Sequence, residues 1–191
     1  MKTLIIYAHP DVKGHCSLIL DEVLAYHKKK NITYELIDLY KINYDPVLHE
    51  NELYSAGRRD VSEQTKEFQQ KISDTNKLIF IYPIWWSSMP AILKGFFDKV
   101  FVSRFAFRYV HGIPVKMLTG KKAAVFMTSG TFSIFTWLIQ GNRARNLVKR
   151  DILGFFGIRA KVYQIDNCIE LPEKQANTIK RTVKRGLNRL Y

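Results

Sequence analysis

Five stretches of the chain are short and mostly apolar rather than alternating: residues 3–8 (TLIIYA), 34–39 (YELIDL), 77–82 (KLIFIY), 122–128 (KAAVFMT) and 161–166 (KVYQID). Short continuous runs of this kind read as strands covered on both faces, as in parallel sheets. Between them the apolar positions fall at helical spacing. Leu18, Leu20, Val23 and Leu24 mark a first helix running to the lysines at 28–30, and Phe68 and Ile72 a second from about Ser62. Ile92, Leu93, Phe96, Phe97 and Val100 mark a third. A fourth covers roughly residues 144–156 and stops at Gly157, and the last starts at Pro172, followed by Glu173, a pair suited to a helix start. Strand and helix alternate five times, which predicts an α/β fold with a doubly wound parallel sheet. With a strand opening at residue 3, the order 2-1-3-4-5 is the economical one. No repeat, low-complexity tract or second domain interrupts the pattern, so residues 1–191 are expected to form one domain. The connection over residues 40–61 is long and irregular, a length tied to function or to covering another subunit.

At 191 residues and 47% hydrophobic, the chain buries a core without staples. Its two cysteines, Cys16 and Cys168, are too few and too far apart for a disulfide framework or a metal site. Free thiols in a reducing compartment follow, and with no membrane-length apolar run and no signal-peptide shape the expected location is cytoplasmic. The net charge of +13 adds a question. Lys174, Lys180, Arg181, Lys184, Arg185 and Arg189 crowd the last helix, and Arg143, Arg145, Lys149 and Arg150 form a second cluster. Such charge suits nucleic acid, an anionic membrane face or a phosphorylated small molecule. No helix-turn-helix, finger or RNA-binding aromatic motif accompanies it, so it reads first as solvated helix faces, and nucleic acid is not an expected partner.

In open parallel sheets, ligands bind beyond the carboxyl ends of the strands. Three unusual loops leave those ends. HPDVKGHCS leads into a helix whose first turn holds Cys16, Ser17 and Leu18, where free amides suit a phosphate and His9 and Lys13 add charge. It carries only Gly14, so neither a Walker loop nor a GxGxxG fingerprint is present; taken alone, it reads rather as a turn with Ser17 as N-cap. PIWWSSMP brings backbone groups and a broad aromatic wall, which suit a flat ring such as isoalloxazine, unless Trp85 and Trp86 simply plug the end of the core. Thr128-Ser129-Gly130-Thr131 is small and rich in donors, suited to the pyrimidine side of the same ring, and alone is an ordinary turn.

LIIYAHP at the start, DLYKINYDPVL after the second strand, IYPIWWSSMPAILKGFFDKVFVSRFAF and the T-S-G after the fourth strand together resemble the flavodoxin-like NAD(P)H:quinone oxidoreductases, including the modulator of drug activity and the ancillary subunits of potassium efflux systems. The resemblance spans residues 3 to about 130 and the rest in outline. It implies a flavodoxin-like fold and a bound FMN or FAD. His9 and the turn His15-Cys16-Ser17-Leu18 would hold the phosphate and ribityl part. Ile84, Trp85, Trp86 and Ser87 would hold the ring edge, and Thr128, Ser129, Gly130 and Thr131 the pyrimidine side. Family members are usually homodimers, which makes Phe107 and Tyr109 candidate substrate contacts in the partner's pocket. Some members carry a Tyr and a His after the fourth-strand loop; here Phe135, Thr136, Trp137, Asn142 and Arg143 follow, and no catalytic side chain is assigned.

The expected function is a flavin-dependent NAD(P)H oxidoreductase. NAD(P)H and then a quinone or similar flat acceptor would share one place over the ring in a ping-pong cycle. The alternative is a regulatory or electron-shuttle flavoprotein that docks on a protein partner, such as a membrane transporter, through the basic C-terminal helix.

Overall fold

The computed structural model describes residues 2–53, 61–132 and 141–191. Its elements are β1 (Thr3–Tyr7), α1 (His15–Lys29), β2 (Tyr34–Asp38), α2 (Glu63–Ser73), β3 (Lys77–Pro83), α3 (Ala91–Val100), β4 (Phe107–Val110), β5 (Ile113–Lys116), β6 (Lys122–Thr128), α4 (Arg143–Asn146), β7 (Arg159–Ile165) and α5 (Glu173–Leu190). The expected five strands form a parallel sheet in the order β2-β1-β3-β6-β7, which is the flavodoxin-like 2-1-3-4-5 arrangement.

Alternate residues of the central strands feed two cores, as the two-residue period of a strand requires. Leu4, Ile6, Leu78, Phe80 and Val125 pack with Phe68, Ile72, Leu93 and Phe96 of α2 and α3. Ile5, Tyr7, Ile79, Ile81 and Phe126 pack with α1 and α5 on the other side. This double covering explains the continuous apolar runs of β1, β3 and β6; the edge strand β2 departs from the expectation, with only Ile37 buried.

Three expectations need correction. The inner face of α1 is Cys16, Ile19, Val23 and His27, while Leu18, Leu20 and Leu24 pack only at its margin. Ser17 is not the cap: Gly14 holds the N-cap position at φ 112°, and the Ser17 hydroxyl donates to the Gly14 carbonyl (2.9 Å). The fourth helix is α-helical over α4, continues as a π-helix, Leu147–Gly154, and returns to α over residues 155–156. Between α3 and β6 the chain also forms an antiparallel β4–β5 hairpin, whose tip has His111 and Gly112 both at positive φ.

The long connection crosses α3 at Gly95, where a Cβ would meet the Pro46 carbonyl at 2.1 Å. Lys99, one turn further on, donates to the Asp45 and Val47 carbonyls (3.1 and 2.9 Å) and pairs with Glu52 (3.0 Å). A buried lysine thus clamps the connection to the helix.

Candidate functional site

The loops that leave β1, β3 and β6 are neighbours because their strands are. Thr128 joins all three. Its carbonyl accepts from the Ile84 amide (2.7 Å), and its hydroxyl shares a hydrogen bond with the Cys16 thiol (3.3 Å). The side chains of Thr128 and Cys16, and the Ile84 amide, are therefore committed inside the protein and position the loops. Burial pushes the Cys16 thiol up to about 12, so it stays a neutral thiol.

At the start of α1, the Leu18 amide turns back to the Gly14 carbonyl. The amides of His15, Cys16 and Ser17 have no partner among the described residues. No acidic residue occupies this first turn, so the positive end of the helix dipole is unopposed. His15 itself is turned aside: its Nε2–H donates to the Glu170 carbonyl (2.9 Å). His9 Nδ1 accepts from the Asp11 amide (3.0 Å) and the Asp11 carboxylate from the Lys13 amide (3.0 Å), which fixes the shape of the loop above the helix end.

The PIWWSSMP loop makes a tight hairpin. Trp85 and Ser88 exchange both backbone hydrogen bonds (3.0 and 2.9 Å), and the turn between them places Trp86 at φ 49° and Ser87 at φ 60°. Two successive left-handed residues are ordinary for Asn-Gly, and costly for a tryptophan. Trp86 is fully exposed and Trp85 is 41% exposed, so neither plugs the core. The amides of Trp86 and Ser87 have no partner among the described residues.

After β6, the Ser129 amide donates to the Ile165 carbonyl (2.8 Å) and the Ser129 hydroxyl accepts from the Thr131 amide (3.1 Å). Space above Gly130 is open; the nearest atom to a Cβ there is Ile169 Cγ1, at 4.0 Å. Ile169 belongs to a fourth loop, after β7, which is tied in by the Cys168 amide donating to the Ser129 carbonyl (2.8 Å). Its sequence carried no signal beyond lone apolar residues in a polar stretch. With Val12, Trp86 and Phe132, all largely exposed, Ile169 adds apolar side chains to the surface of the carboxyl-end loops.

Phe107 and Tyr109 are not part of this cluster. They line an apolar groove of about 600 Å³ with Leu48, Phe97, Phe101 and Phe155, whose lining includes no residue of the loops after β1, β3 and β6, although Leu48 comes from the connection after β2. Phe135, Thr136 and Trp137, which follow the β6 loop where some family members carry a Tyr and a His, lie outside the described residues.

A family model described as "Flavodoxin-like fold" matches residues 1–185. The chain belongs to this flavodoxin-like family, and the resemblance to its quinone oxidoreductases is borne out. An "Uncharacterized NAD(P)H oxidoreductase" of Haemophilus influenzae is 31% identical over 132 residues, covering 69% of this chain and 65% of that protein. An "FMN-dependent NADH:quinone oxidoreductase" of Clostridium perfringens is 33% identical over 155 residues, covering 78% of this chain and 76% of that one. The crystal structure of Smu.1420 from Streptococcus mutans superposes with a TM-score of 0.87 at 32% identity, over 98% of this chain and 100% of that one. The match thus spans just under two thirds of the Haemophilus protein's length. Among the described residues no helix is long and apolar enough to cross a membrane.

Proposed function

We propose that the protein is an FMN-dependent NAD(P)H oxidoreductase that reduces a quinone or a similarly flat acceptor. The carrying observation is the donor set. Unpartnered amides at the start of α1 and in the left-handed Trp86-Ser87 turn sit on adjacent strand ends. Backbone strain of this kind persists where the surrounding structure enforces it, and it concentrates at ligand sites. Bound there, FMN would supply the hydride acceptor and two-electron donor chemistry.

The chain's own groups then divide the work. The amides of His15, Cys16 and Ser17 take the phosphate, with the helix dipole adding attraction. The amides of Trp86, Ser87 and Gly130 address the polar edge of the ring, and donors there favour its reduced, negatively charged form. Val12, Trp86, Phe132 and Ile169 keep water from the reacting face. NAD(P)H and the acceptor occupy that one apolar mouth in turn, which makes the kinetics ping-pong. FMN is preferred to FAD because the C. perfringens relative is named FMN-dependent. The groove holding Phe107 and Tyr109 is apolar and open, which supports a homodimer in which these residues face the partner's site. Reconstitution with FMN and with FAD tests the reading. Saturable binding of FMN and NAD(P)H-dependent reduction of a soluble quinone are expected; no flavin absorbance with either cofactor overturns it.

A further inference from the structure

The opposite edge of the sheet carries a feature that flavin chemistry does not use. Lys77 of β3, Lys122 of β6 and Arg159 of β7 are partners in one register row. In-register residues on parallel strands share a face and lie about 5 Å apart at Cα, so three like charges stand side by side, an arrangement that repels. Two residues on, Lys161 joins the same face beside Ala124. Arg189 approaches from α5. None of Lys122, Arg159, Lys161 or Arg189 makes an ion pair with a described carboxylate.

Lys77 shows how the row relieves itself in part. Its amine turns over the Tyr191 ring, 3.9 Å from the centroid, and burial with the neighbouring Lys122 holds it below the usual lysine range. The other four cations line a cavity of about 310 Å³. Small residues line it, Ala123, Ala124 and Ala160 on the sheet and Gly186 on α5; Gly186 also lets the helix close on the sheet, since a Cβ there would meet the Phe126 ring at 2.6 Å. No acidic residue lines it. Tyr163 forms part of the wall, and its buried hydroxyl has no hydrogen-bond partner among the described residues.

We propose that this cavity binds a small molecule carrying a diphosphate or bisphosphate group, at a site separate from the flavin loops. Four cations without counter-charges match a ligand of several negative charges better than a monoanion. The two arginines offer forked donors that fit phosphate oxygens in pairs. The volume lies at the lower end of the range for small-molecule sites. A ligand of this class would remove the cross-strand repulsion that the sheet edge otherwise carries.

The test is calorimetric titration of the full chain with inorganic pyrophosphate at physiological salt, with and without FMN. Saturable binding that FMN leaves unchanged is expected. Arg159→Ala with Arg189→Ala should weaken it about tenfold or more, the loss of charge-assisted hydrogen bonds. Lys28→Ala with Lys29→Ala, which removes the same charge elsewhere on the surface, should change it less than about twofold, as expected for screened, exposed charges. All four positions are exposed, so folding is not at stake. Equal losses in both double variants would reveal a diffuse field without a site. Displacement by FMN would put the anion at α1, and citrate binding as tightly as pyrophosphate would remove the phosphate assignment. Any of these, or no saturable binding, overturns the proposal.

Discussion

Gly95→Ala sets two principles against each other, and the structure decides between them. In a helix interior, alanine is favoured over glycine by about 1 kcal/mol. At this position the new methyl would lie 2.1 Å from the Pro46 carbonyl oxygen and 2.5 Å from Pro46 Cβ. Backbone cannot swing aside as a flexible side chain can, and the crossing segment is held down by Lys99 on the Asp45 and Val47 carbonyls. Overpacking costs about 1–3 kcal/mol, and each Lys99 hydrogen bond stretched as the segment lifts adds about 1 kcal/mol. The net expectation is a loss of about 1–3 kcal/mol, or about 2–4 °C in Tm for each kcal/mol in a chain of this size. Thermal and urea unfolding of the variant measure it. Asn177→Ala, exposed on α5, is the control for helix propensity alone and should be neutral or slightly stabilising. A Gly95→Ala protein as stable as wild type, or more so, would refute the close approach at Pro46.

Three further outcomes follow from single features. Trp86→Gly should raise the stability of the flavin-free protein by about 0.5–1 kcal/mol, because glycine accepts the left-handed backbone without strain. It should also weaken FMN binding about tenfold; fluorescence titration showing unchanged affinity removes Trp86 from the site. His27 is buried, donating from Nδ1 to the Val23 carbonyl and accepting at Nε2 from the Tyr191 hydroxyl, and burial lowers its pKa. The unfolded chain therefore binds the extra proton first. Stability should be complete above the unfolded value of about 6.5 and fall as pH drops below it, by at most about 1.4 kcal/mol per pH unit; urea curves for His27→Gln should lack that slope. Mixed dimers pairing a Trp86→Ala, Gly130→Asp chain with a Phe107→Ala, Tyr109→Ala chain should regain part of the activity both parents lack, whereas a monomer by sedimentation counts against the shared site.

The sheet was legible because its strands are buried on both faces, so every position of residues 3–7 or 77–83 votes alike. The face of α1 was not. Leu18, Leu20 and Leu24 carry the apolar signal, yet the buried stripe ends on His27, whose burial depends on Tyr191, far away in sequence. The β4–β5 hairpin was missed for the converse reason: its residues are almost all exposed, so no core pattern marks it. Within the site, the location of the loops followed from topology, but the division of labour did not. The side chains of Thr128 and Cys16 tie loops together, which their place in the sequence did not show, while the Cys16 amide stays free at the helix start. Trp86 looked equally like a core plug, and only its backbone and exposure separate the two readings.

The two ends of the sheet offer a final test, because each stores an unfavourable arrangement that a different ligand would relieve. At the carboxyl end it is the strained turn and the free amides; at the amino end it is the row of lysine and arginine. β6 runs between them over seven residues, about 20 Å at roughly 3.3 Å per residue. Charge at one end is screened over about 8 Å at physiological salt, and no described hydrogen-bond chain joins the two clusters. FMN and pyrophosphate should therefore stabilise independently, each by RT ln(1 + [L]/Kd), or about 2.7 kcal/mol at a hundredfold excess over Kd. Unfolding measured with both present should give the sum of the single effects to within about 0.5 kcal/mol, and Lys161→Glu should erase the pyrophosphate share while sparing that of FMN. A combined effect no larger than either alone would mean that both ligands compete for the start of α1. A clear surplus would mean that the sheet transmits strain between its ends, and the assumption of independence would fall.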